Sequence, residues 1–337
     1  MNYVSGEILT EKGLIKGYLG FDKNKIIEIG KKKPPKKPVC KGLIVPSFVN
    51  AHTHIGDSFI KKRKIKLPKN IEELVKPPDG LKHRLLKEAT EKEIIDGMKE
   101  SIAIMINSGV TEFCDFREGG LSGVLQLKKA LKNKKLSAII LSRPLELKYE
   151  FDKIETLLKN SDGIGVSSIS DWDYLELEKI SKHVKKRKKI FAIHASENVR
   201  ENIDDILDLK PDFLVHMINA TESDLIRVKD NNIPIVLCLR SNAFYGLNPN
   251  IKLMKKIGNT IIFGTDNSML NSPNILDEIK FAKKVYREFS IVELLYAITF
   301  KARKALNLDC DILGANSKAE FVVINKKTLK PLYVSIK

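Results

Sequence analysis

Seven apolar, β-branched runs begin 22 to 27 residues apart between Val110 and Thr265, and that period leaves few folds open. They are VTEFCDF (110–116), LSAIIL (136–141), GIGVSSI (163–169), KIFAIH (189–194), DFLVH (212–216), PIVLCL (234–239) and TIIFGT (260–265), with an eighth, LIVPSFVN (43–50), ahead of them. A repeat of that length holds one strand, one helix and two short connections. The runs are near-continuously apolar rather than alternating, as in strands of a parallel sheet covered by helices. The segments between them read as helices. Thr90 and Glu93 form a capping-box pair, Ile94, Met98, Ile102 and Met105 follow at helical spacing, and Gly109 closes the helix. Segments 174–188, 198–209, 222–230 and 291–306 fit the same role. Eight strand–helix repeats favour an α/β fold of the (β/α)8 TIM-type barrel class over an open doubly wound sheet. No GxGxxG follows the first strand, which argues against a dinucleotide site.

The two ends differ in kind from the middle. Residues 1–42 hold short strand-like runs (YVSGEIL, GLIKGYLGF, KIIEIG) and a proline-lysine linker, and EFVVIN (320–325) is a similar run near the other end. Neither end is long enough to bury a core alone, so a small β-sandwich shared by both is expected. The expected division is 1–42 and 307–337 for that sandwich and 43–306 for the barrel. Segment 56–90, with PPDG at 77–80, is too long for an ordinary βα loop and is expected to form a lid or one wall of the site.

Composition narrows the class of partner. The net charge of +17 invites a nucleic-acid reading, but its clusters (31–37, 61–66, 185–189) are dispersed, lysine-rich and free of interleaved aromatics. A solvated lysine surface is the preferred reading, and nucleic acid is disfavoured. No apolar run of about 18 residues exists to span a membrane, no signal-peptide layout opens the chain, and four dispersed cysteines suit a reducing compartment. A cytoplasmic location is expected, and a homo-oligomer is compatible with the sequence.

The chemistry concentrates at strand ends. Strands alternate faces, so His52 and His54 in VNAHTH point the same way. Counted in chain order from LIVPSFVN, His194 closes the fifth run, His216 the sixth, and Asp266 follows the eighth, TIIFGT. Four of the six histidines therefore fall at the carboxyl ends of barrel strands, the active face of this fold. His83 and His183 lie elsewhere and read as ordinary polar residues. Imidazoles plus one carboxylate are the ligand set of a catalytic Zn²⁺ or Fe²⁺ with an open position.

The motifs VNAHTHIGDS, IHASE, FLVH, CLRSN and FGTDN, with ANSKAEFVVIN near the end, resemble those of the amidohydrolase superfamily in order and along the full chain. Within it they are similar to the cytosine deaminase and chlorohydrolase-like branch. The resemblance implies that His52, His54, His194 and Asp266 hold one divalent metal ion, Zn²⁺ or Fe²⁺. It implies that Glu197, in HASE, is a proton shuttle, and that His216 and Asp266 assist the activated water. Binuclear relatives carry a bridging lysine or carboxylate on the fourth strand; GIGVSSIS has neither, so a single ion is expected. The residues alone also allow Glu197 a plainer role near a helix N-terminus.

Arg117, Arg143 and Arg240 follow strand ends and suit capture of an anionic group or a polar ring edge, or else ion pairs with nearby carboxylates. Ser241, Asn242 and Asn267 could orient a ligand or fix loops, and Trp172 could stack on a planar ring or anchor its helix. Three functions are carried forward. The first is a metal-dependent deaminase of a small aminated heterocycle. The second is a hydrolase of a cyclic amide or imidazolone-type bond on the same site. The third is a metal-free binding protein on a degenerate barrel.

Overall fold

The computed structural model describes residues 1–336. Nine strand segments form one parallel sheet: β5 (Phe48–His54), β6 (Val110–Arg117), β7 (Ser137–Ser142), β8 (Gly163–Val166), β9 (Ile190–Ala195), β10 (Phe213–His216), β11 (Ile235–Leu237), β12 (Ile261–Phe263) and β13 (Asp266–Asn267). Their order is β12-β11-β10-β9-β8-β7-β6-β5-β13. β12 and β13 are separated in the chain by Gly264 and Thr265 alone, yet lie at opposite ends of that order. The sheet therefore curls round until its last strand reaches its first, and Thr265 donates to His52 O at 2.9 Å across the seam. A Cβ at Gly264 would lie 2.6–2.7 Å from Cβ, N and O of His52, so only glycine permits this approach.

Alternation sorts the strand residues into two layers. Val49, Ala51, Cys114, Phe116, Ala192, Phe213, Val215, Val236 and Ile262 form the interior cluster, closed from below by Ala302 and Leu306. Phe48, Phe113, Phe191, Ile193, Leu214, Ile235, Leu237 and Phe263 pack outward against the helices. Near-continuous apolarity is thus the signature of strands buried on both faces.

The eight expected strands are present, with one relocation. The run 43–50 is divided at Ser47: Cys40–Pro46 (β4) belongs to a second sheet, and the first barrel strand starts at Phe48 and ends at His54. That second sheet has the order β15-β14-β4-β1-β2-β3, where β1 is Asn2–Thr10, β2 Gly13–Asp22, β3 Lys25–Gly30, β14 Phe321–Ile324 and β15 Pro331–Val334. Both chain ends contribute, as expected, but the strands pair into one six-stranded sheet over its own cluster of Val4, Ile8, Leu19, Phe21, Ile44 and Phe321. The expected two-layer sandwich is not confirmed.

Segment 56–90 is structured. A 3-10 stretch (Ile55–Arg63) is followed by α1 (Ile71–Val75) and α2 (Leu81–Glu88), and His83 Nε2 lies 3.1 Å from Val75 O, tying the two helices together. The helix read from Thr90 to Gly109 is α3 (Glu91–Ser108), with the Thr90/Glu93 capping box formed and Gly109 at φ 96°. Among the described residues no helix is long and apolar enough to cross a membrane.

Candidate active site

The carboxyl end of β5 carries an extra residue. Asn50 pairs with Phe113 and Thr53 with Asp115, so three steps on β5 match two on β6. Such a bulge re-aims side chains. Val49 and Ala51 face the interior; past the bulge it is His52 and His54 that do so. Thr53 turns out, its Oγ1 2.9 Å from Asp115 Oδ2. On β9, Ala192 and His194 share the inward parity. His216 and Asp266 sit at φ 78° and 58°, left-handed backbone that is costly for residues with a Cβ and common at functional sites.

These turns converge four donor atoms. His52 Nε2 lies 3.2 Å from His194 Nε2 and 3.4 Å from Asp266 Oδ1; His54 Nε2 lies 3.4 Å from His194 Nε2 and 3.6 Å from Asp266 Oδ1. A tetrahedral ion with bonds of roughly 2.0–2.2 Å sets its ligands roughly 3.3–3.6 Å apart, so these spacings fit such an ion. A ligand atom of His216 also lies within 4.8 Å of those of His52, His194 and Asp266.

Tautomers sharpen the fit. His194 Nδ1 faces Val166 O at 2.8 Å, which can only accept, so Nδ1 carries the proton and Nε2 presents a lone pair. His54 Nδ1 lies 2.7 Å from Glu118 Oε1, a carboxylate oxygen that can only accept; the pair is close without hydrogen-bond alignment, and that proximity favours a proton on Nδ1 and a lone pair on Nε2. Two lone pairs therefore face each other across 3.4 Å, an arrangement that a cation between them relieves. Burial pushes the His54 imidazole down to about 3 and His194 well below its ordinary value, so both rings are neutral with a lone pair free. Burial alone would raise the Asp266 carboxyl, but His52 and the neighbouring imidazoles hold it well below the carboxylate range. Its other oxygen, Oδ2, accepts from Ser241 Oγ.

Glu197 faces the same cavity. Removal from bulk water first, and Asp266 second, push its carboxyl well above the usual range, which favours its protonated form. Its Oε1 is 3.3 Å from His216 Nε2 and 3.4 Å from Asn242 Nδ2. Asn242 Nδ2 also donates to His216 Nδ1 at 3.1 Å, which leaves the His216 proton on Nε2. Burial takes His216 down to about 4, so the ring is neutral at pH 7.

A cavity over this centre, about 110 Å³ and open on one side, is lined by His54, His194, Glu197, His216, Asp266 and Asn267, and by Arg143, Lys82 and residues of α1. Segment 56–90 thus supplies one wall. Arg143 is buried there, and its Nε has no partner. Asn267 donates to Asp266 Oδ1 at 3.0 Å. Arg117, Arg240 and Trp172 lie outside the cavity lining. Arg117 pairs with Glu118 at 2.7 Å and Asp115 at 3.4 Å, Arg240 with the buried Glu278 at 2.6 Å, and Trp172 Nε1 donates to Ser167 Oγ at 3.1 Å within the main core. Lys82 and Glu118 were not singled out as site residues from the sequence. Nothing local in GLKHR or FREGG marks them, because their partners are assembled only by the fold.

Comparison with known proteins agrees with this geometry. The amidohydrolase family pattern matches residues 43–337. A Methanocaldococcus jannaschii protein of uncharacterized function is 37% identical, over 95% of this chain and 85% of its own. An Archaeoglobus fulgidus protein provisionally named an aminohydrolase is 32% identical over 84% and 79%. The 5-methylthioadenosine/S-adenosylhomocysteine deaminase of Caldicellulosiruptor saccharolyticus is 25% identical over 99% and 83%. Among solved structures, Helicobacter pylori aminofutalosine deaminase in complex with methylthio-coformycin superposes with TM-score 0.73 at 18% identity, covering 96% of this chain and 92% of its own. A Xanthomonas campestris adenosine deaminase with bound zinc gives 0.77 at 14% identity, covering 99% and 92%.

Proposed function

Because this chain belongs to the amidohydrolase family and is a hydrolase of C–N bonds other than peptide bonds, we propose that it is a metal-dependent deaminase of a small aminated heterocycle, acting in the cytoplasm. The carrying observation is that Glu197 lines the cavity over a cluster in which His52 Nε2 and His54 Nε2 each lie 3.2–3.6 Å from His194 Nε2 and Asp266 Oδ1. His52, His54, His194 and Asp266 would hold the ion, a single Zn²⁺ or Fe²⁺. When bound, it supplies Lewis acidity and lowers the pKa of a coordinated water toward about 7.

The chain's own residues do the rest. Ser241 occupies Asp266 Oδ2 and Asn267 donates to Oδ1, so the carboxylate is fixed in orientation. His216, with its proton on Nε2, presents a neutral donor to oxygen charge developing at the attacked carbon. As water adds to the amine-bearing carbon, Asp266 takes its proton and Glu197 gives one to the ring nitrogen; Asp266 then passes its proton to the amino group, which leaves as ammonia, while the Glu197 carboxylate takes the hydroxyl proton as the carbonyl forms. Arg143, buried on the wall without a carboxylate partner, is the best placed of the three arginines to receive an anionic or carbonyl group of the substrate. Deaminases of purine nucleosides among the relatives and fold neighbours support this class of substrate.

The test is an ammonia-release screen of purine, pyrimidine and pterin amines with protein loaded with Zn²⁺, Fe²⁺ or Mn²⁺. Ammonia from at least one compound is expected. Silence across the set, with ring opening of a cyclic amide, would replace this reading by the alternative hydrolase.

A further inference from the structure

The geometry points to Lys82 as a positioning residue through which the wall segment 56–90 completes the metal centre. The inference rests on the proposed metal site and adds to it a device for its assembly. Lys82 lies on α2, 2% exposed, and its ammonium reaches back to the carboxyl face of the barrel. Two contacts hold it: Nζ is 2.6 Å from Glu118 Oε1 and donates to Asn267 Oδ1 at 2.9 Å.

Each contact continues to a different ligand. Glu118 Oε1 lies 2.7 Å from His54 Nδ1, and Asn267 Nδ2 donates to Asp266 Oδ1 at 3.0 Å. One ammonium therefore sets the polarity of two relays. It can only donate, so it requires the oxygen of the Asn267 amide and leaves the amino group for Asp266. It also pins the Glu118 oxygen that fixes the His54 tautomer, with Arg117 holding the other oxygen at 2.7 Å. Partners of this kind orient metal ligands, and their loss costs about 10–100-fold in metal affinity.

The consequence is a linkage between the wall and the ion. Lys82 can make these contacts only while α2 is docked. His83, the next residue, holds α1 through Val75 O, and α1 lines the cavity. An ion that stabilises the oriented ligands stabilises the docked wall, and by reciprocity the docked wall tightens the ion.

The experiment uses the full chain and Zn²⁺ alone. Lys82→Met keeps the stem and removes the ammonium; Lys82→Gln keeps a donor for Asn267 but no charge for Glu118. Zn²⁺ affinity is read by chelator competition, and hydrogen exchange of 71–88 is followed with and without Zn²⁺. A loss of about 10–100-fold in affinity for Lys82→Met is expected, with a smaller loss for Lys82→Gln. Zn²⁺ should slow exchange of 71–88 in the wild type and fail to do so in Lys82→Met. A merely structural lysine would lower the melting temperature of the metal-free protein yet leave Zn²⁺ affinity and the Zn²⁺-dependent protection unchanged, and that result overturns the inference. Should Lys82→Met fail to fold, Lys82→Gln decides alone by the same two readouts. Absence of Zn²⁺ binding by the wild type would overturn the metal centre itself, whereas wild-type binding with unchanged variant affinity overturns only the role of Lys82.

Discussion

Replacing Glu197 by Gln isolates one proton. Two groups lie near its side-chain oxygens and both address Oε1: Asn242 Nδ2 donates at 3.4 Å, and His216 Nε2 lies 3.3 Å away. No donor addresses Oε2, the oxygen on which the neutral acid would carry its proton. A glutamine can keep its carbonyl at Oε1 and place its amino group at Oε2, preserving shape and both contacts. Asn219 Nδ2 still donates to the backbone carbonyl at residue 197 at 2.6 Å, so the loop stays in place. What is lost is the ability to release a proton to the substrate. General acid catalysis contributes about 10²–10⁴-fold, roughly 3–5 kcal/mol of barrier. The assay is steady-state ammonia release on the compound selected by the screen, with Zn²⁺ affinity measured in parallel. The expected result is kcat down by about 10²–10⁴-fold, KM within a few-fold and Zn²⁺ affinity unchanged. A loss of kcat below tenfold, or one matched by a loss of Zn²⁺, would refute the assignment.

Three other outcomes test the fold and the seam. Gly264→Ala places a methyl 2.6–2.7 Å from His52 backbone and Cβ atoms, so it should displace His52 and cut Zn²⁺ affinity by at least about tenfold; unchanged affinity in a folded variant would contradict the closure described. Arg303→Met should destabilise by about 1–3 kcal/mol in urea denaturation, because it removes the 2.7 Å ion pair with Glu112 and the bonds that the buried guanidinium donates to Ser47 and Thr111, leaving those three only their bonds to one another. The Asp224 carboxylate, which accepts from Arg200 and from the Thr221 backbone N–H against the effect of its burial, is held down to about 2. Its contribution is present above the unfolded value near 3.9 and is lost as pH falls through about 2, so Asp224→Asn should cost about 1 kcal/mol at pH 7, discounted because Arg200 is half exposed. That difference from wild type should vanish between about pH 4 and pH 2, followed by thermal denaturation.

The strands were legible because burial on both faces leaves an unmistakable apolar run, and α3 because its two ends carry complete caps. The first barrel strand was displaced because one apolar run, LIVPSFVN, serves two sheets, and because the polar AHTH looks like a strand's end rather than its last turn inward. Helix 198–209 shrinks to Ile203–Asp208 since the loop before it is organised by Glu201, whose carboxylate accepts from the amides of Ser170 and Ser196 at 2.9 and 2.8 Å. Segment 291–306 is two helices, broken at Thr299, whose φ and ψ of −125° and −99° are not helical. Arginines near strand ends could not be sorted by sequence: Glu278, which claims Arg240, is 38 residues away from it.

Parity explains why the histidine pair could be read while its surroundings could not. Counting alternate residues from Val49 and Ala51, both interior, would place His52 and His54 against the helices. The extra residue in β5 reverses that parity, and it is visible only in the pairing with β6. The spacing of two was sufficient to put both rings on one face, whichever face that was. Which face it is depends on β6, and the rest of the centre depends on chain still farther off: Gly264 closing the seam, left-handed turns at His216 and Asp266, and Lys82 reaching in from α2. The proposed ligand pair is thus readable in sequence because it is local, whereas the partners that orient it are set by tertiary packing. Substitutions at those partners should therefore act on metal affinity without touching a ligand, the behaviour by which Lys82 and Gly264 are to be judged.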